Sequence, residues 1–188
     1  MDGFLSSLGL KNKRNFPVDA ELFPPTAKYE ESDAVLSDDG KYRYLLRRTW
    51  DHTKPRMLYV MLNPSTADAS IDDPTIKSCV RLAKAQGYGS FEVVNLFGLR
   101  ATDPKELLKA PDPAGPDNDR IVAAAVGRCD VVVCAWGAFQ FAHERAKVLR
   151  NELRSGKPAI YCLGKTKSGA PKHPLYMKSG TPLQTFDC

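Results

Sequence analysis

The sequence predicts one α/β domain in three layers, α/β/α, built on a four-stranded parallel sheet and preceded by a β-hairpin. Four short apolar runs, helical patterns between them and short connections support this fold class. The runs do not alternate polar and apolar residues, which is typical of strands buried on both faces. They cover residues 57–62, 91–97, 130–137 and 157–164.

The domain is predicted to span residues 31–188, after an extended N-terminal arm of residues 1–30. A hairpin is predicted between residues 34 and 50, because an Asp-Gly turn separates two segments rich in β-forming residues. Its arginines Arg43, Arg47 and Arg48 could contact phosphate, but a solvated edge strand protected by charge is the favoured interpretation.

Helical patterns fill the connections between the strands. Asp73 and Asp103 each precede a proline and are interpreted as caps of helices rather than as catalytic groups. Two further helices are predicted over residues 117–126 and 139–153. Strands that alternate with helices in this way favour right-handed crossovers and a parallel sheet.

Composition sets limits on function. The chain has 188 residues with 27 Lys and Arg against 22 Asp and Glu, a net charge of +5 that is compatible with a polyanionic partner. No N-terminal targeting pattern and no membrane-length apolar run is seen, so we expect a cytoplasmic protein without membrane contact. The five cysteines form no Cys-x-x-Cys pair and are expected to be buried thiols.

Motifs for common cofactors are missing from the sequence. There is no Gly-x-Gly-x-x-Gly after the first strand and no phosphate-binding Gly-x-x-x-x-Gly-Lys-Ser/Thr. His52 and His143 stand alone, and no helical His/Glu spacing suggests a metal. We therefore expect neither a metal nor a bound cofactor.

The candidate site lies in the loops after the four predicted strands. Parallel strands end at one edge of the sheet, so these loops can converge on a single cleft. The candidates are Asn63, Pro64 and Ser65 after the first strand, Asn95 and Arg100 after the second, Trp136 and Gly137 after the third, and Lys165, Lys172, His173, Leu175 and Tyr176 after the fourth. His173 is favoured as functional because its loop follows a buried strand, whereas Trp136 is more readily explained as core.

Four blocks of sequence, residues 62–68, 95–104, 135–137 and 173–176, resemble the signature blocks of a bacterial and phage family, domain of unknown function 1643. The resemblance covers roughly residues 34–183. A more distant resemblance is to the uracil-DNA glycosylase superfamily. It rests on Asn63-Pro64-Ser65, Asn95, Trp136-Gly137 and His173-Pro174-Leu175, which follow successive strands in the same order. The resemblance implies that Asn63 positions an attacking water, but the acid found beside it in the uracil-specific branch is missing from this chain.

The expected function is recognition of a nucleobase, with hydrolysis of an N-glycosidic bond in DNA as its reaction. Breaking that bond requires a donor for the departing base and an oriented water. His173 is the candidate donor, Asn95 pairs with the amide edge of the base and Asn63 holds the water. Around them, Ser65, Lys165, Lys167 and Lys172 are expected to contact phosphates, and Leu175 or Tyr176 to fill the gap left by a flipped nucleotide.

Two other functions remain open from the sequence. The same cleft could bind a free or modified nucleotide and hydrolyse or transfer its base, which suits the modest net charge. Alternatively, the chain is a non-catalytic nucleic-acid-binding module, which suits the missing acid. In each case the expected partner is a nucleic acid or a nucleotide.

Overall fold

A mixed sheet forms the centre of the protein. The structure, a computed structural model, describes residues 29–156 and 159–187. Seven strands lie within these residues, in the order β1-β2-β4-β3-β5-β6-β7. Their bounds are β1 Glu31–Leu36, β2 Arg43–Thr49, β3 Arg56–Met61, β4 Ser90–Asn95, β5 Val131–Cys134, β6 Ile160–Cys162 and β7 Gln184–Thr185.

Four neighbouring strands of this sheet are mutually parallel. Strand β3 pairs in parallel with both β4 and β5, and β5 pairs in parallel with β6. The hairpin β1–β2 joins β4 through an antiparallel pairing, and β7 runs antiparallel to β6. The predicted mixture of helices and strands is confirmed, but the prediction of a four-stranded sheet is wrong, because the hairpin and the two-residue β7 extend the same sheet.

Helices cover both faces of the sheet. They are α1 Pro74–Ala85, α2 Asn118–Arg128, α3 Gln140–Val148 and α4 Arg150–Arg154, with 3₁₀ turns at Pro104–Leu108 and Pro174–Tyr176. Leu58 and Val60 of β3 belong to one apolar cluster with α2, α3 and α4, whereas Met57 and Tyr59 belong to a second cluster with α1. Successive residues of a strand point to opposite faces, so the two clusters lie on opposite sides of the sheet.

Strand β2 is not the solvated edge strand that its arginines predict. It is paired with β1 on one side and with β4 on the other. Arg43 and Arg48 are buried, and Arg47 donates to the buried carboxylate of Glu92. The prediction fails because a run of arginines resembles an exposed surface in sequence, whereas here carboxylates and carbonyl groups pair with arginines inside the protein.

The predicted helix starts fit the structure well. The Asp73 carboxylate accepts from the Ile76 N–H at 2.8 Å, and Asp103 accepts from the Lys105 N–H at 3.0 Å, so both are helix caps. The helix predicted over residues 139–153 is divided at Leu149 into α3 and α4.

Four of the predicted buried thiols are confirmed: Cys79, Cys129, Cys134 and Cys162 are buried and free, and Cys188 lies outside the described residues. The predicted N-terminal arm also lies outside them, apart from its last two residues. Within the described part of the chain, no helix has the length and apolar character to cross a membrane.

Candidate functional site

A cavity of about 240 Å³ lies at the carboxyl ends of the parallel strands. Five of the predicted site residues line it: Asn63, Ser65, Asn95, Trp136 and His173. They come from the loops after β3, β4, β5 and β6, as the parallel arrangement requires. The cavity is therefore the place where the four predicted loops meet.

Asn63 follows β3 and presents an acceptor to this cavity. Its Nδ2 donates to the carbonyl groups of Pro64, at 3.0 Å, and Ala101, at 2.8 Å. Because both partners are carbonyl oxygens, the amide can face them only with its NH₂ group. Among the described residues its Oδ1 receives no hydrogen bond, so this oxygen is free to accept one from a water or a ligand.

Asn95 is the last residue of β4, and its side chain is 1% exposed. Its Nδ2 is buried without any hydrogen-bond partner. Its main-chain oxygen, in contrast, accepts from Asn118 Nδ2 at 3.0 Å. A buried amide nitrogen without a partner is costly, and Asn95 lies in the wall of a cavity that a water or a ligand can enter.

His173 is held as a neutral donor. Its Nδ1 accepts from the Leu175 N–H at 3.3 Å, which places the ring proton on Nε2. Burial lowers the pKa of His173 from its ordinary value of 6.5, and the negative charge of Asp73 only partly opposes this. The ring is therefore uncharged at neutral pH, with Nε2–H available as a donor.

Trp136 and Gly137 follow β5 and connect two of the loops. Trp136 is buried, packs edge-on against Phe186 with ring centroids 5.8 Å apart, and also lines the cavity. The Gly137 N–H donates to the Pro171 carbonyl at 2.9 Å, with a φ of 80° that favours glycine. Trp136 thus belongs to the core and to the cavity wall at once.

Arg43 lines the same cavity, although the sequence favoured an exposed role for it. Its side chain is 3% exposed and one terminal nitrogen donates to the Ala67 carbonyl. Its Nε has no hydrogen-bond partner. Burial lowers the pKa of Arg43 to about 10, while Asp73 raises it, so the guanidinium remains charged at neutral pH.

Asp73 adds a carboxylate to the cavity wall. One of its oxygens caps α1, and the residue also lines the cavity wall. No hydrogen bond or ion pair within the described residues occupies its second oxygen. The cap interpretation was correct but incomplete, because a helix that follows β3 after a short loop begins at the same sheet edge where β3 ends.

Seven predicted site residues lie outside the cavity wall: Pro64, Arg100, Gly137, Lys165, Lys172, Leu175 and Tyr176. Pro64 is buried and Arg100 points towards the Gly40 carbonyl, 3.5 Å away. Lys165 lies 5.7 Å from the centre of the Phe186 ring and lines a separate groove of about 570 Å³ beside β6 and β7. Tyr176 is 86% exposed on the 3₁₀ turn after His173.

The fold and site together define a mixed α/β protein with a polar cavity at the carboxyl ends of its parallel strands. The chain belongs to the family described as protein of unknown function (DUF1643), whose model matches residues 43–175. The matched stretch runs from Arg43 past His173 and so contains every residue that lines the cavity. The resemblance to this family is thereby confirmed.

The other comparisons carry no functional information. No curated protein is significantly similar to the chain in sequence. Among solved structures, hetero-hexameric glutamate dehydrogenase from Thermus thermophilus, in its Leu-bound form, matches at 20% identity with a TM-score of 0.30. The match covers 64% of this chain and 29% of that one, and so low a score does not establish a shared fold. The distant resemblance to uracil-DNA glycosylases is not supported by these matches and stays a hypothesis.

Proposed function

We propose that the cavity binds a nucleobase and that the protein hydrolyses the N-glycosidic bond of a nucleotide unit in DNA. One observation carries the proposal: Asn95, Asn63 and His173 line one cavity beside the aromatic ring of Trp136. An amide, a free acceptor and a neutral imidazole donor are the groups that read the edge of a base, and an aromatic ring packs against its face.

The size of the cavity supports a ring rather than a whole nucleotide. Its volume of about 240 Å³ is below the roughly 300 to 1,000 Å³ of typical small-molecule sites. A single base fits this space, with its sugar and phosphate left outside. Such a division is expected for an enzyme that takes a flipped base out of a strand.

The proposed reaction assigns one role to each group. The bond between the sugar carbon and the base nitrogen breaks, and the base leaves with the electron pair while His173 Nε2–H donates to it. A water held by Asn63 Oδ1 attacks the sugar carbon and transfers a proton to the free oxygen of Asp73. The sequence has no acid directly beside Asn63 that could accept this proton. Asp73 can take that role, since it lines the same cavity as Asn63.

The finer resemblance to the uracil-DNA glycosylase superfamily belongs to this proposal. It is supported by the four central parallel strands, covered by helices on both faces, and by the order of the loop residues. Its weaker part is the loop after β6. There, Leu175 is half-buried against the body of the protein, and only Tyr176 is exposed enough to enter a gap in a duplex.

The salt dependence of binding distinguishes a nucleotide within a nucleic acid from a free nucleotide. The loop after β6 favours a nucleic acid, because Lys167, Lys172 and Lys178 are exposed there together with Tyr176. Each phosphate that they neutralise should add about 0.9 to the slope of log affinity against log salt concentration. A free nucleotide bound by the cavity alone would give a much smaller slope.

Single-turnover release of base tests the proposal. Wild type is incubated with oligonucleotides that contain uracil, mismatches or modified bases, and with the matching free nucleotides, and the released base is measured. We expect Asn63→Ala and His173→Asn to slow release roughly 100- to 1,000-fold. The asparagine at position 173 still offers an oxygen to the Leu175 N–H, so it removes the donor while it keeps the turn.

Asp73→Asn has a matched control in the same chain. Asn is as good a helix cap as Asp, so this variant removes the charge without removing the cap. Asp103→Asn makes the same change before a proline at another capped turn, where the side chain is exposed and outside the cavity. We expect Asp73→Asn to slow base release and Asp103→Asn to leave it unchanged. Absence of released base with wild type, or equal rates for wild type and Asn63→Ala, contradicts the reaction.

A further inference from the structure

We propose that Arg43 makes the cavity an anion-binding site, which holds a base ring that carries a negative charge or acquires one as it leaves. The ring part of this inference rests on the proposed function. The anion part rests on Arg43 itself. It identifies the ligand class as an acidic, acceptor-rich ring and adds a cationic residue to those that contact it.

Arg43 is a buried charge that the protein does not neutralise. Only its contact with the Ala67 carbonyl is a hydrogen bond, and its Nε is buried without an acceptor. Asp73 and Asp68 act on it through their charge alone, and no carboxylate within residues 29–156 and 159–187 comes within 4.0 Å of its guanidinium nitrogens. Burying a charge in this way is costly unless a partner arrives from outside the protein.

A second buried arginine on the same strand shows how the fold treats such a group when no ligand is involved. Arg48 donates from Nε to the Asp72 carboxylate at 2.9 Å, and from its other nitrogens to the carbonyl groups of Arg47 and Asp68. It does not line the cavity. Of these two buried arginines of β2, the one without an acceptor at Nε is therefore the one that lines the cavity.

Two residues in the wall of this cavity each have a buried donor without a partner among the described residues, Arg43 at Nε and Asn95 at Nδ2. They lie on the neighbouring strands β2 and β4. A ligand that satisfies both must present at least two acceptors, and a charged oxygen satisfies a guanidinium better than a neutral one does. Cleavage of an N-glycosidic bond leaves negative charge delocalised over the ring nitrogen and carbonyl oxygens of the base, so Arg43 is suited to receive it.

Binding of two pyrimidine rings that differ in charge, and in a nitro group at C5, tests the inference. At mildly alkaline pH, 5-nitrouracil is ionised, whereas uracil is largely neutral. Titration calorimetry with folded wild type should show roughly 10- to 100-fold tighter binding of 5-nitrouracil, the size expected of a hydrogen bond to a charged group. Arg43→Gln should bind both rings alike, and Arg43→Lys should retain part of the preference because it keeps the charge.

Arg145→Gln is the matched control, because this half-buried arginine is already paired with the Leu96 carbonyl and with Asp119, outside the cavity. It should keep the full preference. If Arg43→Gln does not fold, Arg43→Lys and the two rings on wild type still decide the question.

The outcomes separate this inference from the proposed function. Equal binding of both rings by wild type, or an unchanged preference in Arg43→Gln, overturns the anion site and leaves base recognition standing. Inorganic phosphate is the third probe. Its binding in an Arg43-dependent manner, without binding of either ring, supports the anion site and overturns the nucleobase function. Failure of all three probes to bind folded wild type overturns both.

Discussion

Strand β4 carries two buried polar residues that the protein treats in opposite ways. Glu92 is 0% exposed, and both of its oxygens accept hydrogen bonds from arginines: Arg47 and Arg128 contact Oε1, and Arg128 also contacts Oε2 at 2.6 Å. Asn95, three residues further along, has a buried donor with no partner at all. One position is satisfied by the protein, and the other remains open towards a cavity.

The difference separates groups that serve the fold from groups that serve a ligand. A buried carboxylate surrounded by guanidinium groups offsets its desolvation within the protein, and removal of one partner leaves uncompensated charge. Asn95 and Arg43 gain nothing comparable from the fold. Buried polar groups without partners also occur elsewhere in this protein, as at Tyr44 and Thr49, but Arg43 and Asn95 share one cavity wall, where a ligand could satisfy both.

The largest expected effect is on stability, at Glu92, whose charge is paired within the protein. Glu92→Gln removes the buried negative charge that Arg47, Arg56 and Arg128 share, so we expect the free energy of unfolding to fall by about 3 to 5 kcal/mol. Urea denaturation measures this change. Glu144→Gln makes the same substitution at an exposed residue that pairs with Lys147, and it should leave the denaturation midpoint almost unchanged.

An equal midpoint for Glu92→Gln and wild type would break the comparison. It would mean that the arginine cluster around Glu92 contributes no stability, and it would make that cluster a second candidate site for a ligand.

The next effect compares two asparagines. Asn118 is buried and donates from Nδ2 to the main-chain oxygens of Asn95 and Leu96, at 3.0 and 3.2 Å. Replacing it with Leu leaves two buried carbonyl groups without this donor and should cost about 1 to 3 kcal/mol. Asn95→Leu removes a donor that has no partner, so stability should stay equal or rise while ring binding is lost. Thermal and urea unfolding measure stability, and calorimetry measures binding.

A loss of stability for Asn95→Leu as large as that for Asn118→Leu would show that Asn95 is satisfied within the protein. The difference between Glu92 and Asn95 on β4 would then disappear, and with it the reason to expect a ligand at Asn95.

The sequence predicts the parallel part of the fold and about a third of the residues of the cavity wall for the same physical reason. Strands buried on both faces appear as unbroken apolar runs, and their ends can be located by the first polar residue. Asn63, Asn95, Trp136 and His173 stand at or shortly after such ends, and the parallel arrangement brings them together. No knowledge of long-range contacts is needed for these four.

Arg43 and the outer strands could not be predicted in this way. Whether β2 is an edge strand depends on β1 and β4, and β4 begins more than 40 residues after β2. A buried arginine has the same sequence signature as an exposed one, and the two-residue β7 has no periodicity to detect. Lys165 and Lys172, which are predicted to contact phosphates, do not line the cavity, and Lys165 lines a separate groove beside β6 and β7.

The smallest effect concerns His173. One of its ring nitrogens, Nδ1, is paired within the protein, and the other carries a proton that is available to a ligand. Its pKa in the folded protein is below 6.5, so the unfolded chain binds a proton first as the pH falls. Stability should therefore decline as the pH drops below about 6.5 and level off under the lowered pKa. His173→Asn cannot be protonated there, while His52 and His143 are common to both proteins. The unfolding free energy of wild type minus that of His173→Asn should thus rise with pH through this window, and a flat difference would mean that folding does not lower the pKa of His173.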